Sequence, residues 1–342
     1  MLSFEEVFTF EHLWKSHKIA RRGKCHTNEV IAFEMDMISN IANLHRQLLA
    51  DTYRQKPYYH FTIHEPKVRE IYALHYPDRI VQHCLCDYFL APYFETRLIY
   101  DNAACRKEKG THFAINRLKG FLRAHYRNYG TKGYILKCDI KKFFDHIDHA
   151  VLRNKLKPIC KDKRIASLIE QILCSYYVTA GKGLPLGNQT SQWFALWYLD
   201  EIDRYVKEIK QIKHYTRYMD DFILVHPSKA YLHEAKQDME AILQNHLGLT
   251  FNAKTQIFPI KNGVEYLGWR FYLRNSGKVL MRLKKQTKVR MERRLRKLQR
   301  DYADGMIQVE NIPPVINSYK THLAHGDTWQ IKMNLLSLNA KT

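Results

Sequence analysis

The chain has 342 residues, 45% of them apolar and 26% charged, which allows about two domains with real cores and excludes global disorder. Lysines and arginines number 55 against 34 acids, a net charge of +21, which disfavours acidic protein surfaces and favours a polyanion, either nucleic acid or an anionic membrane. The seven cysteines are an odd number without a C-x-x-C pair, which argues against a disulfide framework or zinc ribbon and fits a reducing cytoplasm.

The opening MLSFEEVFTFEHLWKSHK is acidic early and has no apolar run of signal-peptide length. No apolar stretch reaches the ~18 residues of a membrane span, so membrane contact reduces to peripheral binding. Residues 1–55 carry Ile38, Ile41, Leu44 and Leu48 at helical spacing. Pro57 to Ile63 is extended, and Ile71 to Tyr93 returns to helix with Pro77 near its start. YILKCDI after Gly133 is a strand, and Asp148 caps a helix to about Leu156. An aromatic helix with Trp193, Phe194, Trp197 and Tyr198 covers Gln192 to Val206. HYTRY and FILVH then flank Met219-Asp220-Asp221, the pattern of a hairpin with acids at its turn. Leu232, Ala235, Met239, Ile242 and His246 mark another amphipathic helix. YLGWRFYL (266–273) is β-rich, and a basic helical tail runs from about Leu283. Strands interleaved with long helices give an α+β or α/β core, with helical pieces at both ends and no internal repeat.

Adjacent carboxylates in a tight turn repel, so a fold that fixes them needs a cation. Mg²⁺ takes one or two carboxylates and completes its shell with phosphate and water. Phosphoryl transfer with two ions about 3.5–4 Å apart needs a further carboxylate from another element. Asp139, which ends YILKC, suits that role. Y-x-D-D alone is weak, because most Asp pairs are solvated turn residues. The joint order of motifs carries the weight.

LKCDIKKFFDHIDH (136–149), GLPLGNQTSQWFALWYLDEID (183–203), YMDD (218–221), LGLTFNAKT (247–255) and VEYLGW (264–269) follow one another in the chain. That series resembles the successive motifs of reverse transcriptases. EPKVREIYALHYPDRIVQH (65–83) and DNAACRKEKGTHFAINRL (101–118) resemble the two fingers motifs of bacterial members. The resemblance covers about residues 57–330 and implies an α+β right-hand polymerase. Its parts would be an N-terminal helical extension (1–56), fingers and a palm with an antiparallel sheet (57–275), and a basic helical thumb (276–342).

Carried over residue by residue, the resemblance makes Asp139, Asp220 and Asp221 the catalytic carboxylates, holding two Mg²⁺ ions that Mn²⁺ could replace. The implied reaction is attack of a primer 3′-hydroxyl on the α-phosphate of a deoxynucleotide. Asp145 is read as structural and Asp148 as a cap. Phe144 matches the aromatic gate against a ribose 2′-hydroxyl, while Phe143 is read as core. Lys67 and Arg69 match the cations that grip the triphosphate. Arg106 is placed on template backbone, Leu186 and Gly187 beside the nucleotide, and Lys254 near the departing pyrophosphate. Tyr266-Leu267-Gly268 resembles the primer-grip turn. Residues 282–300 hold ten lysines and arginines against Glu292. Met291, Leu295, Leu298 and Tyr302 form an apolar stripe there, so Arg293 and Arg296 face template and primer.

In Leu186-Gly187-Asn188-Gln189-Thr190-Ser191-Gln192 the family's usual Q-G-x-x-x-S-P has Leu for Gln and Gln for Pro. The L-G-x-x-x-S-Q form resembles reverse transcriptases of diversity-generating retroelements, which copy a template-repeat RNA with errors opposite adenine. An aliphatic Leu186 cannot hydrogen-bond the nucleotide, which would leave selection to base-pair shape. Implied partners are template RNA, cDNA or primer, deoxynucleotides and a small basic, oligomeric accessory variability protein, with no membrane. The implied location is the cytoplasm of a bacterial or phage-infected cell. Alternative readings are a retron, abortive-infection or group II intron-type enzyme without adenine mutagenesis, and a non-catalytic RNA-binding scaffold. A chain stopping at Thr342 counts against an intron enzyme with a maturase and endonuclease extension.

Overall fold

A computed structural model describes residues 2–64, 68–308, 310 and 312–333. The chain folds into two compact units. One holds residues 1–110, 138–222 and 234–255, and the other 111–137, 223–233 and 256–342.

The first unit opens with the helices Phe4–Val7, Phe10–Ala20, Asn28–Met35 and Met37–Leu49. Ser3 and Glu6 cap the first reciprocally, and Thr9 accepts from the His12 N–H to cap the second. Met37–Leu49 buries Ile41, Leu44 and Leu48. Ile38 stays 66% exposed, so the stripe is one residue shorter than its spacing suggested.

Strands β1 (Tyr59–Ile63) and β2 (Arg69–Ala73) form an antiparallel hairpin with Tyr59 opposite Ala73. The helix expected from Ile71 therefore starts later, at Tyr76–Leu85, where Pro77 sits in the first turn and needs no N–H partner. A π turn at Cys86–Leu90 follows and leads into Ala91–Glu95, which carries Pro92. Pro92 can neither donate to nor sit under the carbonyl four residues back. The wider turn, with Ala91 N–H on Cys86 O, absorbs that misfit without ending the helix. The aromatic helix runs Gln189–Tyr198, three residues earlier than the sequence suggested. Its continuation is broken into Asp200–Arg204 and a π turn at Tyr205–Ile209.

The remaining strands are β3 (Tyr134–Asp139), β4 (Tyr215–Tyr218), β5 (Asp221–His226), β6 (Gln256–Pro259), β7 (Val264–Tyr266), β8 (Trp269–Leu273) and β9 (Val279–Leu283). The four-stranded sheet has the order β4-β5-β3-β6, and the second unit adds the sheet β7-β8-β9. Tyr134 of β3 lies opposite Pro259 of β6, antiparallel. In the second unit, Thr111–Tyr129 is a long helix. Met291 and Leu295 of Lys285–Ala303 pack with Ile316 and Leu323 of Ile312–Leu323 in a small separate core. Among the described residues no helix is long and apolar enough to cross a membrane.

Candidate active site

Strand β3 delivers Asp139 at its last position, and β5, its neighbour in the sheet, delivers Asp221 at its first. Asp220 lies between β4 and β5, in a two-residue turn with Met219. The backbone of Asp139 is pinned from both sides. Its N–H donates to Thr255 Oγ1 at 3.1 Å, and its carbonyl accepts the Asn252 N–H at 2.7 Å and the Thr255 hydroxyl at 3.3 Å. The motif LTFNAKT thus fixes the main chain of Asp139 through bonds to its N–H and carbonyl.

The electrostatics join the three acids. Burial pushes the Asp220 carboxyl above the usual range, and the charge of Asp139 pushes it the same way. Arg217 and Arg69 pull it back. The Cys138 thiol beside them, with no exposed surface, is driven well up by burial and then by Asp221. No described group of three or more His, Cys, Asp or Glu side chains closes into a metal cage by itself. Repelling carboxylates at the ends of neighbouring strands are a donor set of the kind a hard divalent ion takes.

Beneath the turn lies a network the sequence reading missed. Arg217 is 0% exposed. Its Nε and Nη2 reach the two Asp203 oxygens at 2.8 and 2.5 Å, Nη2 also reaches Leu196 O at 3.0 Å, and Nη1 donates to Met219 O at 3.1 Å. Tyr215 OH (2.6 Å) and Asn102 Nδ2 (3.3 Å) complete the Asp203 carboxylate. Met219 sits at φ +55°, where a non-glycine residue is strained. The Arg217 bond to its carbonyl holds that conformation from below. Alternation along β4 puts Tyr215 and Arg217 on one inward face, the only sequence signal for the pair.

Phe143 is buried and Phe144 is half-buried, with ring centroids 5.5 Å apart. The Phe144 carbonyl accepts the Leu184 N–H at 2.8 Å, which ties the aromatic pair to the Leu186-Gly187 loop. Leu186 is half-buried. Gly187, at φ +113°, lies so near β2 that an added Cβ would stand 3.9 Å from Ile71 Cγ2. Arg69 is exposed at the start of β2. Lys67 lies outside the described residues. The structure thus brings Asp139, Phe144, Leu186, Gly187, Arg69, Asp220 and Asp221 into one compact unit.

Two expectations change. Arg106 is 8% exposed and turned inward, donating to Glu95 Oε2 (2.7 Å), Glu95 O (3.1 Å), Ile99 O (2.7 Å) and Asn102 O (3.2 Å). It clamps its own loop and has no reach for template phosphate. Tyr266 is 1% exposed, so its ring is core and only the turn after it is offered to a primer. That turn, Leu267 (φ +47°) and Gly268 (φ +86°), links β7 to β8, and Gly268 O accepts the Lys284 N–H at 3.1 Å. Lys254 is exposed, its N–H on Asn252 Oδ1 at 3.1 Å. Arg293 and Arg296 are exposed on Lys285–Ala303, opposite buried Met291 and Leu295. Asp148 accepts from Ala150 and Val151 N–H as the cap of His149–Leu156.

Residues 64–271 match the family model described as reverse transcriptase (RNA-dependent DNA polymerase). The group II intron-encoded protein LtrA of Lactococcus lactis subsp. cremoris is 24% identical over 243 residues, 51% of this chain and 39% of that protein. The mitochondrial nuclear intron maturase 1 of Arabidopsis thaliana is 29% identical over 110 residues, 31% of this chain and 14% of its own. The chain thus spans well under half the length of these relatives. Telomerase from Candida albicans, solved with a TWJ fragment of telomeric RNA, superposes with a TM-score of 0.51 at 13% identity, covering 68% of this chain and 48% of that one. That likeness speaks for the fold alone, an α+β right-hand polymerase. With the family model covering more than half of its length, the chain belongs to the reverse transcriptase family.

Proposed function

We propose that the chain is an RNA-directed DNA polymerase that extends a primer by deoxynucleotides on an RNA template. One observation carries the reading: the ends of two neighbouring strands deliver Asp139 and Asp221 next to a half-buried Asp220, whose charged form is opposed by burial and by the Asp139 charge. Asp139, Asp220 and Asp221 would hold divalent ions, Mg²⁺ or Mn²⁺, which supply Lewis-acid activation of the primer hydroxyl and neutralise transition-state charge. The chain's own groups bind and orient. Arg69 holds triphosphate oxygens as a fork, and the Phe144 ring leaves no room at the sugar C2′ for a hydroxyl. The turn at Gly268 lets backbone approach a primer strand, and Arg293 and Arg296 lie along phosphates. Lys254 is the candidate for neutralising the leaving pyrophosphate. In this reading residues 57–275 are fingers and palm, and 276–342 are thumb.

The finer reading is the polymerase of a diversity-generating retroelement, working with a template-repeat RNA and an accessory variability protein in the bacterial cytoplasm. The L-G-x-x-x-S-Q loop supports it, with half-buried Leu186 where a polar side chain would hold the nucleotide in register. A second reading, a group II intron-type enzyme without adenine errors, is favoured by the two intron-linked relatives. Deep sequencing of cDNA made on a primed mixed-sequence RNA separates them. Errors concentrated opposite adenine and reduced by Leu186→Gln support the retroelement reading. Evenly distributed errors support the intron-type reading. No incorporation with Mg²⁺ or Mn²⁺, with and without the accessory protein, sinks the polymerase reading.

A further inference from the structure

A cavity of about 300 Å³ in the first unit is lined by Arg79, His83, Gly187, Asn188, Gln189 and Gln192, among others. Three of these carry a buried polar atom with no hydrogen-bond partner among the described residues: His83 Nδ1, Asn188 Oδ1 and Gln189 Oε1. Asn188 is 2% exposed. The amide ends are already sorted. Gln189 Nε2 is spent on Asp87 Oδ1 at 2.9 Å and Asn188 Nδ2 on Tyr58 OH at 2.9 Å; Asn188 leaves its carbonyl oxygen over, while the Gln189 side chain also supports the His83 imidazole. Orphaned buried acceptors cost free energy unless a ligand donates to them.

A second cavity of about 360 Å³ shares Arg79 and adds Lys24, Glu29, Tyr59 and Phe61. The half-buried Arg79 guanidinium and the Lys24 ammonium have no hydrogen bond or ion pair among the described residues. The Arg79 charge holds Lys24 below the usual lysine range. Glu29 makes no ion pair with them: its Oε1 takes His75 Nδ1 at 2.8 Å and Tyr59 OH at 3.3 Å, and its charge reaches Arg79 only through space. Two close cations without a direct ion pair are a seat for an anion, and Tyr59 and Phe61, 49% and 47% exposed, offer ring faces beside it.

We propose that these two cavities, which share Arg79 in their walls, form a base-reading site for an unpaired RNA nucleotide, with its phosphate on Arg79 and Lys24 and its base edge on Asn188. Free carbonyl oxygens select N–H donors. Cytosine and adenine present an exocyclic amine, whereas uracil presents a carbonyl at the corresponding position and is rejected. The burial that pushes His83 down to about 4 keeps its imidazole neutral, so it adds a hydrogen bond without adding charge. A strand drawn past such a site is gripped unequally, so the residue in it sets a sequence-dependent pause. The inference rests on the polymerase reading for the strand being an RNA. Its test needs no catalysis.

Fluorescence anisotropy with labelled tetranucleotides of cytidine and of uridine, on the full chain, measures the discrimination directly. Wild type binds oligo(C) at least about fivefold more tightly than oligo(U). Asn188→Ala brings the two together, and Arg79→Gln weakens both. If Asn188→Ala does not fold, Gln192→Ala on the same cavity is read in its place, with the ratio falling toward one. Equal wild-type affinities overturn the proposal. So does free CMP displacing oligo(C) at concentrations near the oligonucleotide's own Kd, which assigns the site to a free nucleotide. Retained discrimination in a protein that makes no cDNA upholds this site while the polymerase reading fails.

Discussion

Two hairpins of this chain turn in two residues, and both place a non-glycine side chain in the left-handed region first: Met219 at φ +55° and Leu267 at φ +47°. They differ in what comes next. After Leu267 stands Gly268 at φ +86°, which adopts that conformation freely, with open space where a Cβ would stand. After Met219 stands Asp220, partly buried and repelled by Asp139. That turn is underpinned by a fully buried arginine–carboxylate pair bonded to the Met219 carbonyl. Glycine makes a turn that asks nothing of its surroundings. A turn that carries a repelled carboxylate needs a platform, and Arg217-Asp203 supplies it.

The sharpest break of this contrast is Asp220→Asn. Incorporation of deoxynucleotides falls by about three orders of magnitude or more in a primer-extension assay, the usual cost of losing a transition-state charge stabiliser. Next comes Arg217→Met, which leaves Asp203 buried without its cation and costs about 3–5 kcal/mol in urea unfolding. The double variant Arg217→Met with Asp203→Leu recovers most of that stability yet not the activity, because Met219 O loses its donor. A recovery of both would show the pair to be structural filler.

Third is the pH dependence of Asp220. Its folded pKa lies above the unfolded one, so ionisation is harder in the fold and the group withholds stability at neutral pH. That stability returns as pH falls through the raised folded value toward the unfolded value. Asp220→Asn therefore melts higher than wild type at pH 7, by roughly 2–4 °C, and the gap closes in acid. An unchanged gap across that range refutes the assignment. The smallest effect belongs to the other hairpin. Gly268→Ala costs about 1 kcal/mol, because alanine is strained at that φ, and leaves the nucleotide KM unaltered.

What the sequence made legible was local. A strand ending in Asp139 and a hairpin around Asp220-Asp221 follow from alternation and turn chemistry, and Asp148 caps its helix as an Asx residue should. The helix Lys229–Leu247 was readable too, though its inward stripe closes on Leu243 and Leu247, while exposed His246 meets Glu201 at 2.5 Å. Alternation also marks Val264 and Tyr266 as one inward face of β7, which the resemblance to a primer grip overrode. β2 was lost because a short apolar run reads equally as strand or helix. Arg106 and Arg217 show the larger limit. An arginine spent on internal carbonyls and one waiting for phosphate look alike in a sequence, and the partner Asp203 is fixed only by the fold.

The seat of Asp139 has a consequence for how the protein is made. Its backbone is held by Asn252 and Thr255, residues that leave the ribosome more than a hundred positions later. A nascent chain that has already exposed Asp139, Asp220 and Asp221 carries every acid and lacks the brace that aligns the first of them. On the polymerase reading, a fragment released before Asn252 and Thr255 lacks this brace and incorporates no nucleotides.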